Sequence, residues 1–175
     1  MAQTYTLSGQ AVAFGNAKHM LSIFNGVGSG RVIRVYKVIV LNNQTAAVTG
    51  VLTTFGLRRT SAQSAGTSIT PTKHDSTSEA MPAQVLTATG ATVTNTADVQ
   101  YRTWVWSNDE PAASSGTSDE FECLVPLNIV WDSSTGSGTL EPIVLREGQG
   151  ITVQHSGSSV VGVVDIFIEY TLAAS

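Results

Sequence analysis

The stretch Val163–Leu172, VVDIFIEYTL, alternates without a break. Val164, Ile166, Ile168, Tyr170 and Leu172 fall on one side, and Val163, Asp165, Phe167, Glu169 and Thr171 on the other. A period of two belongs to a strand with one face on a core and the other mostly toward water. Such a strand needs neighbours to receive its backbone donors and acceptors, so this segment alone commits the chain to a sheet. Phe167 is the one large ring on the polar side. It reads either as a lone exposed aromatic or as a contact with a neighbouring subunit.

The rest of the chain agrees. No long apolar stripe with a 3.6-residue period occurs, and β-branched and aromatic runs are separated by clusters of Gly, Asn, Ser and Pro. Strands are predicted near Met20–Asn25, Arg31–Leu41, Val51–Arg59, Ser68–Thr70, Gln84–Ala88, Val99–Trp106, Glu120–Val125, Leu127–Trp131, Leu140–Leu145, Ile151–His155 and Val160–Leu172. With 175 residues and no dividing linker, this is one all-β domain over 1–175. The expected form is an antiparallel β-sandwich of jelly-roll type. The first ~15 residues read as an extended arm, a common fate of chain termini. Two polar stretches, Thr60–Gln84 and Ser107–Glu120, read as long surface loops.

Arg31–Leu41 is apolar at both parities. Ile33, Val35, Ile39 and Leu41 take the odd positions, and Val32, Tyr36, Val38 and Val40 the even ones, with Arg34 and Lys37 the interior charges. A strand apolar on both faces is covered on both. A two-sheet sandwich supplies one cover, so the second is expected from a loop or another chain. The preceding glycines, Gly26, Gly28 and Gly30, have the alternate spacing of a phosphate loop. A strand rather than a helix follows them, however, and Arg31–Val32 stands where a P-loop needs Lys and Ser or Thr. They are expected to turn the chain between two strands.

Charged residues are 13% of the chain and hydrophobic ones 42%, with a net charge of −4. That balance argues against sequence-independent nucleic-acid binding, which needs clustered cations. No apolar run approaches a membrane span, and no secretion signal is read at Met1–Gln10. The single cysteine, Cys123, excludes an intramolecular disulfide and reads as a small buried strand residue. His19, His74 and His155 lie far apart, no nucleophile elbow occurs, and no enzymatic activity, cofactor or metal is expected. Asp109–Glu110 and Asp119–Glu120 flank one loop without the spacing of a calcium site, which favours a solvated loop. Trp104 and Trp106 share one face of a strand, giving two readings: core or interface, or a platform for stacking sugars.

Three stretches together, LSIFNGVGSGRVIRVYKVIVLN, LRRTSAQSAGTSITPTKHDSTSEAMPAQ and EPIVLREGQGITVQHSGSSVVGVVDIFIEYT, resemble jelly-roll structural proteins of tailed bacteriophage virions. The resemblance covers about half the chain and rests on the order of a glycine-rich turn, a polar loop, and a Leu-Arg-x-Gly-x-Gly turn before the final hairpin. It implies a head decoration or cement protein, often a homotrimer, assembled in the host cytoplasm and carried in the virion. The implied partners are other copies of itself and the major capsid protein or other virion proteins, with neither nucleic acid nor membrane. In that reading Val32, Arg34, Tyr36, Val38 and Phe167 contribute to the subunit interface, and the loops holding Lys73, His74, Asp75, Asp109 and Glu110 touch the shell. The alternative is a carbohydrate- or host-binding jelly-roll module of a tail or fibre, with Trp104 and Trp106 as its platform.

Overall fold

The computed structural model describes residues 3–43, 51–108, 128–133, 141–158 and 161–174. The chain forms an all-β sandwich of two antiparallel sheets. Its strands are β1 (Gln3–Ala13), β2 (His19–Asn25), β3 (Arg31–Asn42), β4 (Val51–Ser64), β5 (Thr67–Ser68), β6 (Thr72–Lys73), β7 (Val85–Thr89), β8 (Thr92–Asn108), β9 (Asn128–Asp132), β10 (Ile143–Leu145), β11 (Gln149–His155) and β12 (Val163–Ala174). One sheet, A, runs β10-β3-β12-β1-β6, with β9 also paired to β3; the other, B, runs β5-β7-β2-β11-β4-β8.

The alternation in β12 is realised as read. Val164, Ile166, Ile168, Tyr170 and Leu172 are buried, and the residues between them are half-buried on the outer face. The opening stretch is no arm. Residues 3–13 form β1, which lies between β12 and β6 and sends Tyr5, Leu7 and Val12 into the core. The Tyr5 and Tyr170 rings stack there at 5.5 Å.

In β3 the expected two-faced apolar pattern has another cause. Glu169 pairs with Lys37 but Tyr170 pairs with Val35, so Tyr36 is an extra residue in a bulge. A bulge of one residue shifts the side-chain phase. Before it the odd residues Ile33 and Val35 face the core; after it the even residues Val38 and Val40 do. Val38 is therefore a core residue and not an interface one. The outer face keeps Val32, Arg34, Lys37, Ile39 and Leu41.

Sheet B has a feature of its own. β4 follows β11 from Phe55 to Thr60, then pairs its residues through Ser64 with Asn95–Thr92 of β8. Only Ala65 and Gly66 join β4 to β5, which lies at the opposite edge of the sheet. Four strand spacings amount to ~19 Å, whereas three Cα steps reach at most ~11 Å. Likewise only Gly90 and Ala91 join β7 to β8. The two strand ends must therefore leave their column together and cross sheet B as a paired ribbon. The interior side is filled by core, so the ribbon lies outside. Ser22, Phe24, Thr60 and Thr152, all outward by register, are buried beneath it. Asn95 Nδ2 of the ribbon donates to Gln154 Oε1 of β11 at 3.2 Å.

The polar stretch Thr60–Gln84 is thus a stitched segment rather than a free loop. After the ribbon, β5 adds to the edge of sheet B through β7, and β6 adds to the edge of sheet A through β1. Ile69–Pro71 bridges the ~10 Å between packed sheets, closing that side of the sandwich.

Candidate functional site

On the outer face of sheet A, register assembles residues of mixed character into rows. Ser8, Phe167, Ile39 and Ile129 form one row across β1, β12, β3 and β9. Thr6, Glu169, Lys37 and Asp132 form the next, and Thr4, Thr171 and Arg34 the one after the bulge. Phe167 is half-buried by its row neighbours, and Ile129 remains 43% exposed. Lys37 Nζ stands 3.6 Å from Asp132 Oδ2, whereas Arg34 and Glu169 make no ion pair among the described residues. Val32, Arg34 and Phe167 therefore share this face, and Tyr36 sits in the bulge at its middle, its carbonyl accepting from the Ser133 N–H at 2.8 Å. The sequence missed Ile39 and Ile129 as members, because the phase slip at Tyr36 is silent in a pattern of Val and Ile.

Trp104 and Trp106 do share a face, and it is the inner one. Phe55 stacks on Trp104 at 5.7 Å and meets Trp106 edge-on at 5.8 Å. Phe14 and the His155 ring complete the cluster. Trp106 is 4% exposed, so the pair offers no open platform for a sugar ring. His155 is fully buried, with Nδ1 2.8 Å from the Gly15 carbonyl and Nε2 2.6 Å from Thr53 Oγ1. A carbonyl only accepts, so Nδ1 carries the proton and Nε2 accepts from threonine. Burial holds the imidazole pKa below its ordinary value, against the smaller upward pull of the Gly15 bond.

The residues read as shell contacts are held by the chain itself. Lys73 Nζ donates to the Ser78 carbonyl at 2.6 Å, His74 Nε2 lies 2.7 Å from Thr6 Oγ1, and Asp75 Oδ1 accepts from the Thr77 amide and hydroxyl, both at 2.8 Å. All three side chains are nonetheless on the surface. Asp109, Glu110 and Cys123 lie outside the described residues. Beside the Ile69–Pro71 bridge runs a cleft of about 460 Å³, with Met81, Pro82 and Leu86 also in its lining. Among the described residues no three His, Cys, Asp or Glu side chains gather as a metal site, and no helix is long and apolar enough to cross a membrane.

The glycine turn does hold an anion after all. Gly28 N–H donates to one carboxylate oxygen of Glu147 at 3.0 Å and Gly30 N–H to the other at 2.8 Å. Gly28 and Gly30 have φ of 84° and 62°, a region glycine enters without strain. Those two bonds hold the Glu147 carboxyl below its ordinary pKa. Neither glycine-rich segment announces the other in the sequence, since 117 residues separate Gly30 from Glu147.

No known protein family, curated protein or solved structure matches this chain.

Proposed function

We propose that this protein is a non-enzymatic structural subunit of a virion, a jelly-roll decoration or cement protein that binds the outer shell as a homo-oligomer. The observation that carries the reading is the asymmetry of the sandwich. The β4–β8 ribbon covers the middle of the outer face of sheet B and leaves Leu86 and Val105 exposed there, while the outer face of sheet A presents Phe167, Ile39 and Ile129 in one row beside the charged row of Glu169, Lys37 and Asp132. An apolar row rimmed by charge has the make-up of a protein interface. The resemblance to phage jelly-roll proteins suggests the setting, and the strand order is compatible with that type. Many copies on a lattice multiply modest contacts into strong attachment. A trimer is the form the resemblance favours.

Sedimentation velocity on the purified protein tests self-association directly. An oligomer that Ile39→Asp disperses, with its β-sheet spectrum unchanged, supports the reading. A clean monomer throughout the micromolar range sinks it. Mass spectrometry of purified phage particles then tests the setting, because a subunit of the shell must travel with the particle.

A further inference from the structure

We infer that the Gly26–Gly30 turn is a carboxylate-binding site in its own right, and that Glu147 is its resident, replaceable ligand. Three features of the turn support this. First, its donors are paired. The Gly28 and Gly30 amides each meet a different oxygen of one carboxylate, the bidentate match that a planar anion makes with two N–H groups.

Second, the turn is shaped without Glu147. Asn25, fully buried, donates through Nδ2 to the Arg31 carbonyl at 2.8 Å and the Leu145 carbonyl at 3.1 Å. The Gly26 amide donates to the Gln84 carbonyl at 3.0 Å, and a Cβ at Gly26 would come within 2.4 Å of that oxygen. Ser29 N–H returns to the Gly26 carbonyl at 3.3 Å, and Ser29 Oγ accepts from the Arg31 amide at 3.2 Å. Opposite it, the Gly148 amide donates to the Asn25 carbonyl at 2.7 Å, which holds the partner turn independently of the glutamate side chain. Removing the carboxylate therefore leaves both donors aimed at an empty position.

Third, that position is open. The Glu147 side chain that occupies it is exposed, as is Val27 at the tip, at 78%. A small carboxylate can reach the two amides from solvent. In the native chain it loses to Glu147, whose tether gives it an effective concentration of at least millimolar order. The ligand class is a carboxylate rather than a phosphate, because the two donors serve the two coplanar oxygens of one carboxylate.

The test is a titration of ¹⁵N-labelled Glu147→Ala with sodium formate and sodium acetate, with sodium chloride and phosphate as parallel arms. The expected result is a saturable shift of the Gly28 and Gly30 amide resonances by formate and acetate in the variant, with a rise in its thermal midpoint toward that of the unaltered protein. The unaltered protein shows no saturable shift. Glu147→Gln, which keeps a neutral acceptor, is the companion should the alanine variant fail to fold; its amides are expected to respond to formate as well, at higher concentration. Amides that ignore formate in whichever variant folds, that respond equally to chloride, or that move as much in the unaltered protein would overturn the inference. A stronger response to phosphate than to formate would overturn the ligand class.

Discussion

Phe167→Ala separates the two roles a ring on the outer face of sheet A can have. Within one chain the ring sits between Ser8 and Ile39 and contributes as a cross-strand pair, a contact of about 0.2–1 kcal/mol. Its neighbour Ile166 points the other way, is fully buried, and would lose roughly 2–5 kcal/mol on truncation to alanine. Between chains the accounting changes. Fully burying a phenylalanine stabilises by about 1.5–3 kcal/mol, so the third or less still outside is worth up to about 1 kcal/mol to whatever covers it. One ring per contact then weakens association by up to about fivefold, and two rings facing each other, at up to about 2 kcal/mol, by up to about 30-fold. Sedimentation equilibrium reads the dissociation constant and urea unfolding reads the chain stability. Phe167→Ala is expected to move the first by that factor and the second by less than about 1 kcal/mol. A dissociation constant unchanged within twofold, or a loss of stability as large as that of Ile166→Ala, would refute the reasoning.

Other outcomes follow from the interior. His155 and His19 both have imidazoles held below the ordinary value by burial, with Arg58 adding to the effect at His19. The unfolded chain then binds protons that the folded chain does not, so stability is fully present above the ordinary pKa of about 6.5 and falls as pH drops below it. Urea midpoints against pH should show that decline, and His155→Phe should flatten it. Phe55→Ala removes the ring at the centre of the Phe14, Trp104, Trp106 and His155 cluster and should cost roughly 3–5 kcal/mol by chemical denaturation. Gly150→Ala places a methyl 2.6 Å from the Ile23 carbonyl and 2.5 Å from Thr60 Oγ1 under the ribbon. It should destabilise by about 1–3 kcal/mol, and proteolysis should cut first within the displaced ribbon.

Alternation made most of the sheet legible. The pattern places β2 within one residue and β12 within three of their observed bounds, and the sandwich follows from such strands. What escaped was whatever depends on a local irregularity or on a distant partner. The bulge at Tyr36 exchanges which parity faces inward, and nothing in RVIRVYKVIVLN marks the slip. β1 reads as an arm in the sequence because Thr4, Thr6 and Ser8 dilute the signal of Tyr5 and Leu7. The far ends of β4 and β8 look like loop because their residues are polar, yet polar residues suit a ribbon that seals Ser22 and Thr152 rather than a hydrocarbon core. Parity puts Trp104 and Trp106 on one face; which way that face looks depends on Phe55 of the neighbouring strand.

The ribbon also limits what can be built from this chain. A sandwich adhesive on both faces stacks without end, since each added copy exposes a fresh surface like the one it covered, and open growth of that kind leads to fibres. Here the middle of one face is covered by the chain's own residues before any neighbour arrives. On the proposed reading, contacts through sheet A can close on themselves or settle on a surface, while the part of sheet B under the ribbon offers no matching surface to a further copy.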